Sequence, residues 1–534
     1  MRKIKIPGSG FVCCLLLLVA GCAKRGTITG GDKDTTPPKI ISSSPANFST
    51  NFDKKTIKIT FDEYVRVKDL QKNLIVSPPM KIPVTVLPQG IASKNLIIKI
   101  NDTLRANTTY SFNFGQSIAD NNEGNVLKQL KYVFSTGAFV DSLSVEGTIK
   151  DSYEKETESF INVMLYEVDS DFTDSIIYKE TPRYITNTSD SLKTFRIDNV
   201  KAGQYRLIAL KEKPDNYKFD PKRDKIAFYD KTITIPDKAI FELELFKEAP
   251  EFDSKKPVQA SANRIIAGYE GDPKELKIDV KQRNNPIKAI LTKYAGKDSV
   301  QVWFQPIKND SLQLMVQNGK YQKGFSVRLG NQKQDTLRLF PKQNAILRLN
   351  DNFAITSATP LEKWDVAKMK LFKKDATAIA FKTNYDAFNQ NLEVLFDKDP
   401  DEKYTFSLFP NAVEDYLGQK NDSLSFSFST KNPADYGNLK LNLQKVKSYP
   451  VIVELTDAKG KILASASSET STVEFLLLEP QKYSLRVIYD ENKNGKRDSG
   501  NYLKKQQPEE VIHYPSEIDV RANWDVNQDV DLSH

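Results

Sequence analysis

The chain has 534 residues, of which 39% are hydrophobic and 27% charged, and its formal net charge is +8. Lysine and arginine alternate with aspartate and glutamate along its whole length, which excludes a basic stripe for nucleic acid. The length predicts about three to five domains. The 22 tyrosines and 29 phenylalanines, against 5 methionines, favour β-strands.

A basic start (residues 2–5) is followed by a short apolar run (residues 11–20) and then by Cys22. This order predicts a secretory signal peptide over residues 1–21. The apolar run is about 10 residues long, too short to cross a bilayer core, which needs roughly 20.

The residues Val19-Ala20-Gly21 before Cys22 resemble the lipobox of bacterial lipoproteins. The resemblance implies cleavage before Cys22, a diacylglyceryl thioether on its sulfur and an acylated, palmitate-type N-terminus. The alternative is an ordinary signal peptide cut near Ala20. The residues after Cys22 are neither an acidic surface-export signal nor an inner-membrane retention signal. We therefore expect an outer-membrane anchor, on either the periplasmic face or the cell surface.

The cysteines at positions 13 and 14 lie within the predicted signal peptide, so Cys22 is the one that the mature chain keeps. With its sulfur taken up in the lipid thioether, we expect no disulfide, no thiol nucleophile and no cysteine metal site. Stability then has to come from packed cores, which a chain of this length is able to form.

Residues 22–38 are rich in Gly, Thr, Pro and charge, which predicts a flexible tether. Residues 39–137 alternate apolar and polar side chains in short runs, as in a β-sandwich. The segments PPKIISSSPAN, ITFDEYV, IADNNEGN and YVFSTG resemble the bacterial Ig-like domain of the surface-layer type. The resemblance implies a fold and almost no function, because such modules mostly space, present and bind.

Residues 138–249 are predicted to form a second sandwich. The segment 195–207 (FRIDNVKAGQYRL) has two alternating strands joined by a glycine turn. It is similar to transthyretin-like modules and to the B-type modules of collagen adhesins. Residues 250–345, with strand patterns that include 276–280 and 336–340, are predicted to form a middle β-domain.

The remaining residues repeat the first two modules. Residues 404–408 and 428–430 echo the end of the first module, and residues 481–487 echo the second. We predict a second Ig-like sandwich over 346–432 and a second transthyretin-like sandwich over 433–534. The predicted fold class is therefore all-β, with a duplicated pair of modules around the middle domain. Residues 365–372 fit a helical turn or a strand equally well.

Side chains suited to catalysis are few. The histidines are His513 and His534, and without a free thiol this excludes cysteine–histidine catalysis and histidine-rich zinc sites. A Ser–His–Asp triad would have to use His513, which is more simply interpreted as a strand-edge residue. The sequence contains no GxSxG and no phosphate-binding glycine loop. Paired carboxylates stay open, but the sequence does not name a pair.

The sharpest chemical pattern is the loop DENKNGKRDSG at residues 490–500. Its oxygen side chains and its glycine at the sixth position resemble the calcium loops of EF-hands and B-type adhesin repeats. Asn501 replaces the expected bidentate glutamate, and Glu509 or Glu510 substitutes only if the chain folds back. The alternative is a metal-free turn. The predicted calcium ligands are Asp490, Asn492, Asn494, Lys496 and Asp498.

Two further features have both a structural and a functional interpretation. The oxygen-rich residues 120–125 are predicted to form a hairpin turn without metal. Trp303, Trp364 and Trp524 would stack on sugars if exposed, although a strand tryptophan belongs more often to a core.

The sequence therefore favours a lipid-anchored, non-enzymatic binding or scaffold protein, built as a semi-rigid string of sandwiches. Its expected partner is an outer-membrane or other envelope protein complex, with no nucleic acid and no cofactor except Ca²⁺ at the 490–500 loop. The alternative is a glycan- or matrix-binding adhesin whose last module is stiffened by calcium. A remote alternative is a hydrolase with a carboxylate site.

Overall fold

The computed structural model describes residues 33–188, 193–213, 216–307, 310–343 and 345–533. The chain divides at Ser142/Leu143 into two compact units. Its described residues form a nearly all-β structure of tandem sandwiches, as the sequence predicts. Cys22, His534 and residues 1–21 lie outside the described residues.

The first unit contains sandwich 1, which has one sheet of order β1-β2-β5-β4, with β7 also on β2, and a second sheet of order β3-β6-β8. The alternation of residues 56–61 buries Ile57, Ile59 and Phe61 between the sheets and leaves Lys58 exposed. A short helix, α1 (Leu70–Asn73), follows β2. The strands are β1 (Ile40–Ser44), β2 (Thr56–Val67), β3 (Ile75–Ser77), β4 (Thr85–Leu87), β5 (Ser93–Lys99), β6 (Thr109–Asn113), β7 (Ile118–Asp120) and β8 (Lys131–Ser135).

Sandwich 2 begins the second unit. Its larger sheet has the order β11-β10-β13-β14, with β15 also on β13, and its smaller sheet has the order β12-β9-β16. A 3-10 helix, Asp174–Tyr178, lies between β10 and β11. The strands are β9 (Leu143–Asp151), β10 (Asn162–Glu167), β11 (Tyr184–Asn187), β12 (Thr194–Val200), β13 (Gly203–Lys211), β14 (Lys225–Phe228), β15 (Ile233–Ile235) and β16 (Ile240–Leu245).

Sandwich 3 corresponds to the predicted middle domain. One sheet has the order β17-β19-β23-β22, with β18 also on β19, and the other has the order β21-β20-β24-β25. The strands are β17 (Asp253–Ser254), β18 (Val258–Ser261), β19 (Arg264–Glu270), β20 (Lys277–Gln282), β21 (Asn285–Pro286), β22 (Ile290–Lys293), β23 (Ser299–Trp303), β24 (Ser311–Asn318) and β25 (Tyr321–Arg328).

Sandwich 4 has sheets of order β26-β28-β32-β31 and β27-β35-β33-β30, and a β29-β34 ribbon. Two 3-10 helices, Val366–Lys368 and Pro433–Asp435, precede β30 and follow β35. The strands are β26 (Leu339–Pro341), β27 (Ile346–Leu347), β28 (Phe353–Ser357), β29 (Leu361–Trp364), β30 (Met369–Lys373), β31 (Lys382–Asp386), β32 (Asn391–Leu395), β33 (Lys403–Leu408), β34 (Val413–Asp415) and β35 (Leu424–Thr430).

Sandwich 5 ends the chain with a sheet of order β38-β37-β40-β41, with β42 also on β40, and a sheet of order β39-β36-β43. The strands are β36 (Gly437–Gln444), β37 (Val451–Thr456), β38 (Ile462–Ser468), β39 (Thr472–Leu478), β40 (Gln481–Tyr489), β41 (Val511–His513), β42 (Ile518–Val520) and β43 (Asp525–Asp531).

Sandwiches 2 and 5 have the same strand order, including a last strand that runs parallel to the first, β16 on β9 and β43 on β36. Sandwiches 1 and 4 correspond in the same way, since β1-β2-β5-β4 matches β26-β28-β32-β31. The strand order therefore repeats in the order in which the sequence echoes occur.

The structure corrects one sequence assignment and resolves another. The pattern at residues 336–340 predicts a strand of the middle domain, but Leu339–Pro341 pairs with β28 and so belongs to a sheet of sandwich 4. Leu337 and Leu339 also pack against the core of sandwich 4, which explains the difference. Residues 365–372, left open between helix and strand, contain both a 3-10 turn and β30.

The sandwiches of the second unit do not form an open string. Sandwich 5 returns to sandwich 2 through polar contacts such as Arg497 with Ser152. Sandwich 3 meets sandwich 4 where Asn263 contacts Tyr416, and sandwich 4 meets sandwich 5 where Lys431 pairs with Glu479. Within residues 143–533, sandwiches 2 to 5 therefore form a closed ring of contacts. The predicted open string of sandwiches is wrong for this part of the chain.

Candidate functional site

The loop at residues 490–500 is closed by a buried carboxylate at its first position. Asp490 is 2% exposed, and its Oδ1 accepts a hydrogen bond from the Asn494 backbone N–H at 3.0 Å. Its Oδ2 accepts from the Gly495 N–H at 2.8 Å. Gly495 has a φ of +73°, a left-handed conformation that glycine adopts without a steric penalty. The sequence thus predicted the curl of this loop correctly.

The other predicted ligands are brought together around Asp498. Its Oδ2 accepts hydrogen bonds from the side-chain amides of Asn492 and Asn494. The chain also folds back as far as Glu509, whose Oε2 accepts from the Asp498 N–H at 2.8 Å and whose Oε1 accepts from the Glu491 N–H at 2.9 Å. Of the two candidate substitutes, Glu509 therefore reaches the loop, whereas Glu510 pairs with Lys447 at 2.6 Å.

The electrostatics of Glu509 reflect this crowding. Burial raises the pKa of the Glu509 carboxyl, and the nearby carboxylates of Asp498 and Asp490 raise it further, while two backbone donors act in the opposite direction. The fifth predicted ligand, Lys496, directs its ammonium group to Asp272, with Nζ 3.7 Å from the carboxylate. Only the backbone carbonyl of Lys496 is therefore suited to a cation.

The matching loop of sandwich 2 closes in the same way without a glycine. Glu212 accepts hydrogen bonds from the backbone N–H groups of Asn216 and Tyr217, four and five residues onward. Asp490 accepts from the groups at the same spacing. The Asn216 side chain accepts from the Lys218 N–H at 3.0 Å, as Asn494 accepts from the Lys496 N–H at 2.8 Å. A carboxylate at the first position therefore has a backbone-closing function in both loops.

These observations show how well the loop suits Ca²⁺. The loop gathers the oxygen-bearing side chains of residues 490, 492, 494 and 498, and Glu509 adds a carboxylate; hard oxygens of this kind are the ligands that Ca²⁺ prefers. The amide nitrogens of Asn492 and Asn494, however, are the atoms directed at Asp498. The loop oxygens also already accept protein N–H donors. Among the described residues, no group of three or more His, Cys, Asp or Glu side chains is arranged to hold a metal ion. Calcium at this loop therefore stays a prediction.

The Asp120 turn closes on its own backbone, as the hairpin-turn interpretation predicts. Asp120 Oδ1 accepts from the backbone N–H groups of Glu123 and Gly124, and Oδ2 accepts from that of Asn125. Burial by itself would raise the pKa of Asp120, but the three backbone donors outweigh it and the net shift is downward. Asp415, at the corresponding turn of sandwich 4, accepts from Leu417 and Gln419 in the same manner.

His513 lies on β41, half-buried, as the strand-edge interpretation predicts. Its Nε2 is buried and has no hydrogen-bond partner among the described residues. Burial lowers the pKa of His513, and the Arg486 guanidinium lowers it further. A triad histidine needs a hydroxyl on one ring nitrogen and a carboxylate on the other, and the groups acting on His513 are mainly cationic.

A buried charged pair lies where sandwich 2 meets sandwich 5. Arg486 and Glu454 pair on the outer face of β40 and β37, with Nε 2.6 Å from Oε2 and side chains only 4% and 10% exposed. Tyr153, from the loop after β9, covers this pair. Its hydroxyl accepts a hydrogen bond from Arg486 Nη2 at 2.5 Å and donates one to Glu454 at 3.2 Å.

The ring of Tyr153 also contacts two guanidinium groups. The centre of the Arg486 guanidinium lies 3.7 Å from the ring centroid and that of Arg497 lies 4.6 Å from it. Such cation–π contacts gain strength when the groups are desolvated. Burial lowers the pKa of Arg497 and raises that of Tyr153. We call Tyr153, Glu454, Arg486 and Arg497 the Tyr153 clamp.

A second set of contacts at the same joint comes from the segment after the 490–500 loop. The Tyr502 N–H donates to Glu248 Oε1 at 2.6 Å, and the Tyr502 ring meets Phe228 edge-on at 5.3 Å. A side chain at Gly500 would place its Cβ 2.6 Å from the Phe246 ring. The end of the predicted calcium loop and the residues that follow it therefore also form contacts between sandwich 5 and sandwich 2.

The joint between sandwiches 3 and 4 centres on Tyr416. Its hydroxyl accepts a hydrogen bond from Asn263 Nδ2 at 2.7 Å and lies 3.2 Å from the carbonyl oxygens of Asn263 and Phe304. Trp303 packs edge-on against the Tyr416 ring at 6.0 Å. Burial raises the pKa of Tyr416 above its usual range, so this hydroxyl is a neutral structural group.

The three tryptophans have different environments. Trp303 is fully buried and donates its indole N–H to Thr292 Oγ1 at 2.8 Å, as expected of a core residue. The core interpretation is wrong for the other two, because Trp364 is 38% and Trp524 57% exposed. Each exposed ring has a neighbour, Tyr385 beside Trp364 and Arg521 over Trp524.

Sequence reasoning did not find the joint residues, although a signal was present. Glu454 interrupts the apolar strand VIVELT, and Arg486 interrupts YSLRVIYD. A charge in the middle of an apolar strand implies either an exposed face or a buried partner. Here the two charges are partners, directly opposite each other in the β37/β40 register.

No described helix is long and apolar enough to span a membrane. Comparison with protein families gives a match to the bacterial Ig-like domain over residues 34–136, which contains sandwich 1. This match confirms the Ig-like resemblance for that stretch.

Comparison with curated proteins gives no match. Among solved structures, the I-band fragment I67–I69 from titin is 15% identical with a TM-score of 0.13, covering 45% of this chain and 93% of that chain. The N-terminal Ig1-2 module of the Drosophila receptor protein tyrosine phosphatase DLAR is 12% identical with a TM-score of 0.13, over 34% and 98%. The S-layer protein rSbsC(31-844) is 12% identical with a TM-score of 0.15, over 91% and 67%. TM-scores this low carry no inference about function.

Proposed function

We propose that this chain is a lipid-anchored, non-enzymatic scaffold protein of a bacterial cell envelope, and that it serves as an accessory of an outer-membrane protein complex. Cys22 would be the anchor and residues 22–38 the tether. A scaffold has to hold its binding surfaces in a fixed relation, which flexible linkers alone do not provide.

The observation that carries this proposal is the Tyr153 clamp. A buried Arg–Glu pair adds little net stability compared with apolar residues of similar size. The buried pair instead imposes a strict geometry, because burying either charge without its partner strongly destabilises the fold. We infer that the clamp fixes the relative position of sandwiches 2 and 5, so that loops from both form one continuous surface.

The test is recovery of a partner through a C-terminal tag, after cross-linking in cells and extraction in mild detergent. A defined membrane protein should accompany the unchanged chain and should be largely lost with Tyr153→Ala, which loosens the clamp. Tyr64→Ala, which removes an exposed tyrosine of sandwich 1, serves as the control. Recovery of the chain alone after cross-linking would contradict the proposal.

The anchor needs its own test. Cys22→Ser should abolish incorporation of labelled palmitate and should release the processed chain from the membrane fraction or leave it unprocessed. A lipid-labelled Cys22→Ser chain that still sediments with outer membranes would show that the anchor lies elsewhere.

A glycan- or matrix-binding adhesin is the second candidate, and the exposure of Trp364 and Trp524 favours it. Exposed aromatic rings supply stacking surfaces for sugars. An adhesin predicts cleavage of the chain by protease on intact cells and quenching of tryptophan fluorescence by a bound oligosaccharide, lost with Trp364→Ala or Trp524→Ala. Full protection from protease on intact cells argues for the periplasmic face and against the adhesin.

A further inference from the structure

Strand β38 is an open edge of the larger sheet of sandwich 5. It pairs with β37 along its length, from Ile462 to Ser468, and no other described strand pairs with it. An open edge presents a row of unpaired backbone N–H and C=O groups to any extended chain that approaches.

The composition of β38 leaves this edge unprotected. Its seven residues, ILASASS, include no charge. Natural proteins block edges with charges, short strands or covering segments. Each of the other described edge strands of five or more residues between 143 and 533 carries a charged side chain: β12, β16, β25, β30, β31, β39 and β43.

The matching strand of sandwich 2 is protected by two of these devices. Strand β11 is only four residues long and is half buried. The 3-10 helix Asp174–Tyr178 stands in the connection that leads into it. The two sandwiches have the same strand order, so the long, uncharged edge is a feature of sandwich 5 and not of the fold.

The charges that flank β38 indicate its occupant. Lys461 precedes the strand and Glu469 follows it, both are exposed, and neither forms an ion pair with another described residue. If a second β38 pairs antiparallel about a two-fold axis at Ser465, Lys461 of each copy lies opposite Glu469 of the other. Opposite charges in directly opposed positions stabilise a strand pair.

We propose that β38 is a self-association edge, which pairs antiparallel with β38 of a second copy of this chain and joins their larger sheets into one. A two-fold contact of this kind closes on itself and gives a dimer and not a filament. The small side chains of Ala464 and Ala466, opposed across the two-fold axis, allow the strands to approach.

The contact is expected to be weak and reversible. Stable protein interfaces bury about 1,200–2,000 Å² in total, and a single short edge strand supplies less than this. The dimer should therefore form in a concentration-dependent way, and the flanking charges should contribute a visible share of its affinity.

Charge reversal tests the pairing through sedimentation of the full-length chain in detergent. Lys461→Glu and Glu469→Lys should each weaken dimerisation about tenfold. Each substitution changes both symmetry-related Lys461–Glu469 pairs of the dimer into pairs of like charge. The double variant should restore the affinity of the unchanged chain. Lys320→Glu, beside the edge strand β25, is the control and should have no effect.

Cross-linking tests the register. Ser465→Cys should give a disulfide-linked dimer on mild oxidation, because residues at a two-fold axis face each other at a distance a disulfide spans. Ser467→Cys, opposite Leu463, should give much less. The chain without an added cysteine and the Gln322→Cys variant measure background from Cys13, Cys14, Cys22 and random collision.

Three results would overturn the proposal. The first is a monomer at every concentration, with Ser465→Cys cross-linking no better than Gln322→Cys. The second is failure of the double charge variant to recover affinity while its melting temperature is unchanged. The third is a Ser465→Cys cross-link to a different protein in place of a second copy.

Discussion

Sandwiches 2 and 5 have the same strand order but use the outer faces of their larger sheets differently. Both contain a tyrosine whose hydroxyl donates to a carbonyl four residues earlier, Tyr205 to Lys201 at 2.9 Å and Tyr483 to Glu479 at 2.7 Å. Both rings lie in the core. The shared features therefore concern the inside of the sandwich and the turns that close it.

The difference lies at one pair of register positions. Met164 faces Ile208 in sandwich 2, whereas Glu454 faces Arg486 in sandwich 5. All four side chains are buried, but the apolar pair needs only packing, and the charged pair needs Tyr153 from the other sandwich. The comparison teaches that the core positions specify the fold and that the outer face specifies which neighbour a copy accepts.

The largest effect is expected from breaking the charged pair. Arg486→Ile leaves Glu454 buried without its partner, which should lower the free energy of unfolding by about 3–5 kcal/mol. Glu454→Met together with Arg486→Ile reproduces the Met–Ile pair of sandwich 2 and should recover most of the loss. Denaturant titration of the three chains measures both changes.

This double substitution also separates stability from geometry. It should restore the free energy of unfolding without restoring the hydrogen bonds to Tyr153. Faster amide hydrogen exchange in the loop after β9 is then expected, even though the melting temperature is normal. A double variant as unstable as Arg486→Ile would show that the charges are needed for the fold itself.

A slightly smaller effect is expected at Gly147, which lies opposite Phe195 on β12. The corresponding pair in sandwich 5 is Leu441 opposite Val473. A Cβ at Gly147 would lie 2.1 Å from the backbone oxygen of Phe241. Gly147→Ala should therefore cost about 3 kcal/mol, since backbone has to move.

Thermal unfolding, with Gly330→Ala as the matched control, measures this cost. The nearest atom to a Cβ at Gly330 is 3.9 Å away, at the end of the Gln259 side chain, so this variant should stay within about 0.5 kcal/mol of the unchanged chain. Recovery of Gly147→Ala by Phe195→Val would contradict the assignment of the clash to the Phe241 backbone.

A third effect concerns the two matching loops, which start at Glu212 and Asp490. If the 490–500 loop binds Ca²⁺ as its sequence predicts, an ion concentration about ten times the dissociation constant stabilises the chain by about 1.4 kcal/mol. The melting temperature should then rise in Ca²⁺ relative to chelator, and Asp498→Asn should remove the rise. Identical melting curves in Ca²⁺ and in chelator would exclude an ion that contributes to folding stability.

The smallest effect is expected from His513, where sandwich 2 has Phe228 at the corresponding register position. Its pKa is lowered by burial, so below its ordinary pKa of about 6.5 the unfolded chain binds more protons than the folded chain. Stability should therefore fall as pH decreases from 7 to 5, and His513→Gln should fall less. Parallel pH profiles for the two chains would contradict this, and comparing the pair cancels the opposing contribution of Glu509.

Local patterns predicted much of the fold correctly. The alternation of residues 56–61 buries one face of β2, and the segment 195–207 forms two strands joined by a turn. The Asp120 and Asp490 turns were also predictable, because a carboxylate followed by N–H groups four and five residues onward closes on itself. Calcium at the second turn could not be decided in this way, because the same residues also close the loop without metal.

The sequence predictions that failed concerned contacts between segments far apart in the chain. The pattern at 336–340 predicts a strand, but only its pairing with β28 assigns it to sandwich 4. The burial of Trp303 and the exposure of Trp524 follow from which surfaces meet, and strand patterns do not contain that information.

Side-chain alternation and turn chemistry act between near neighbours, and they are sufficient to specify an all-β chain of repeated sandwiches. The contact of sandwich 5 with sandwich 2, the pairing of Arg486 with Glu454 and Tyr153, and the open edge of β38 become visible once the chain is folded. The reason is physical: a strand pattern defines which side chains face inward, while the choice of a neighbour depends on the shape and charge of surfaces hundreds of residues apart.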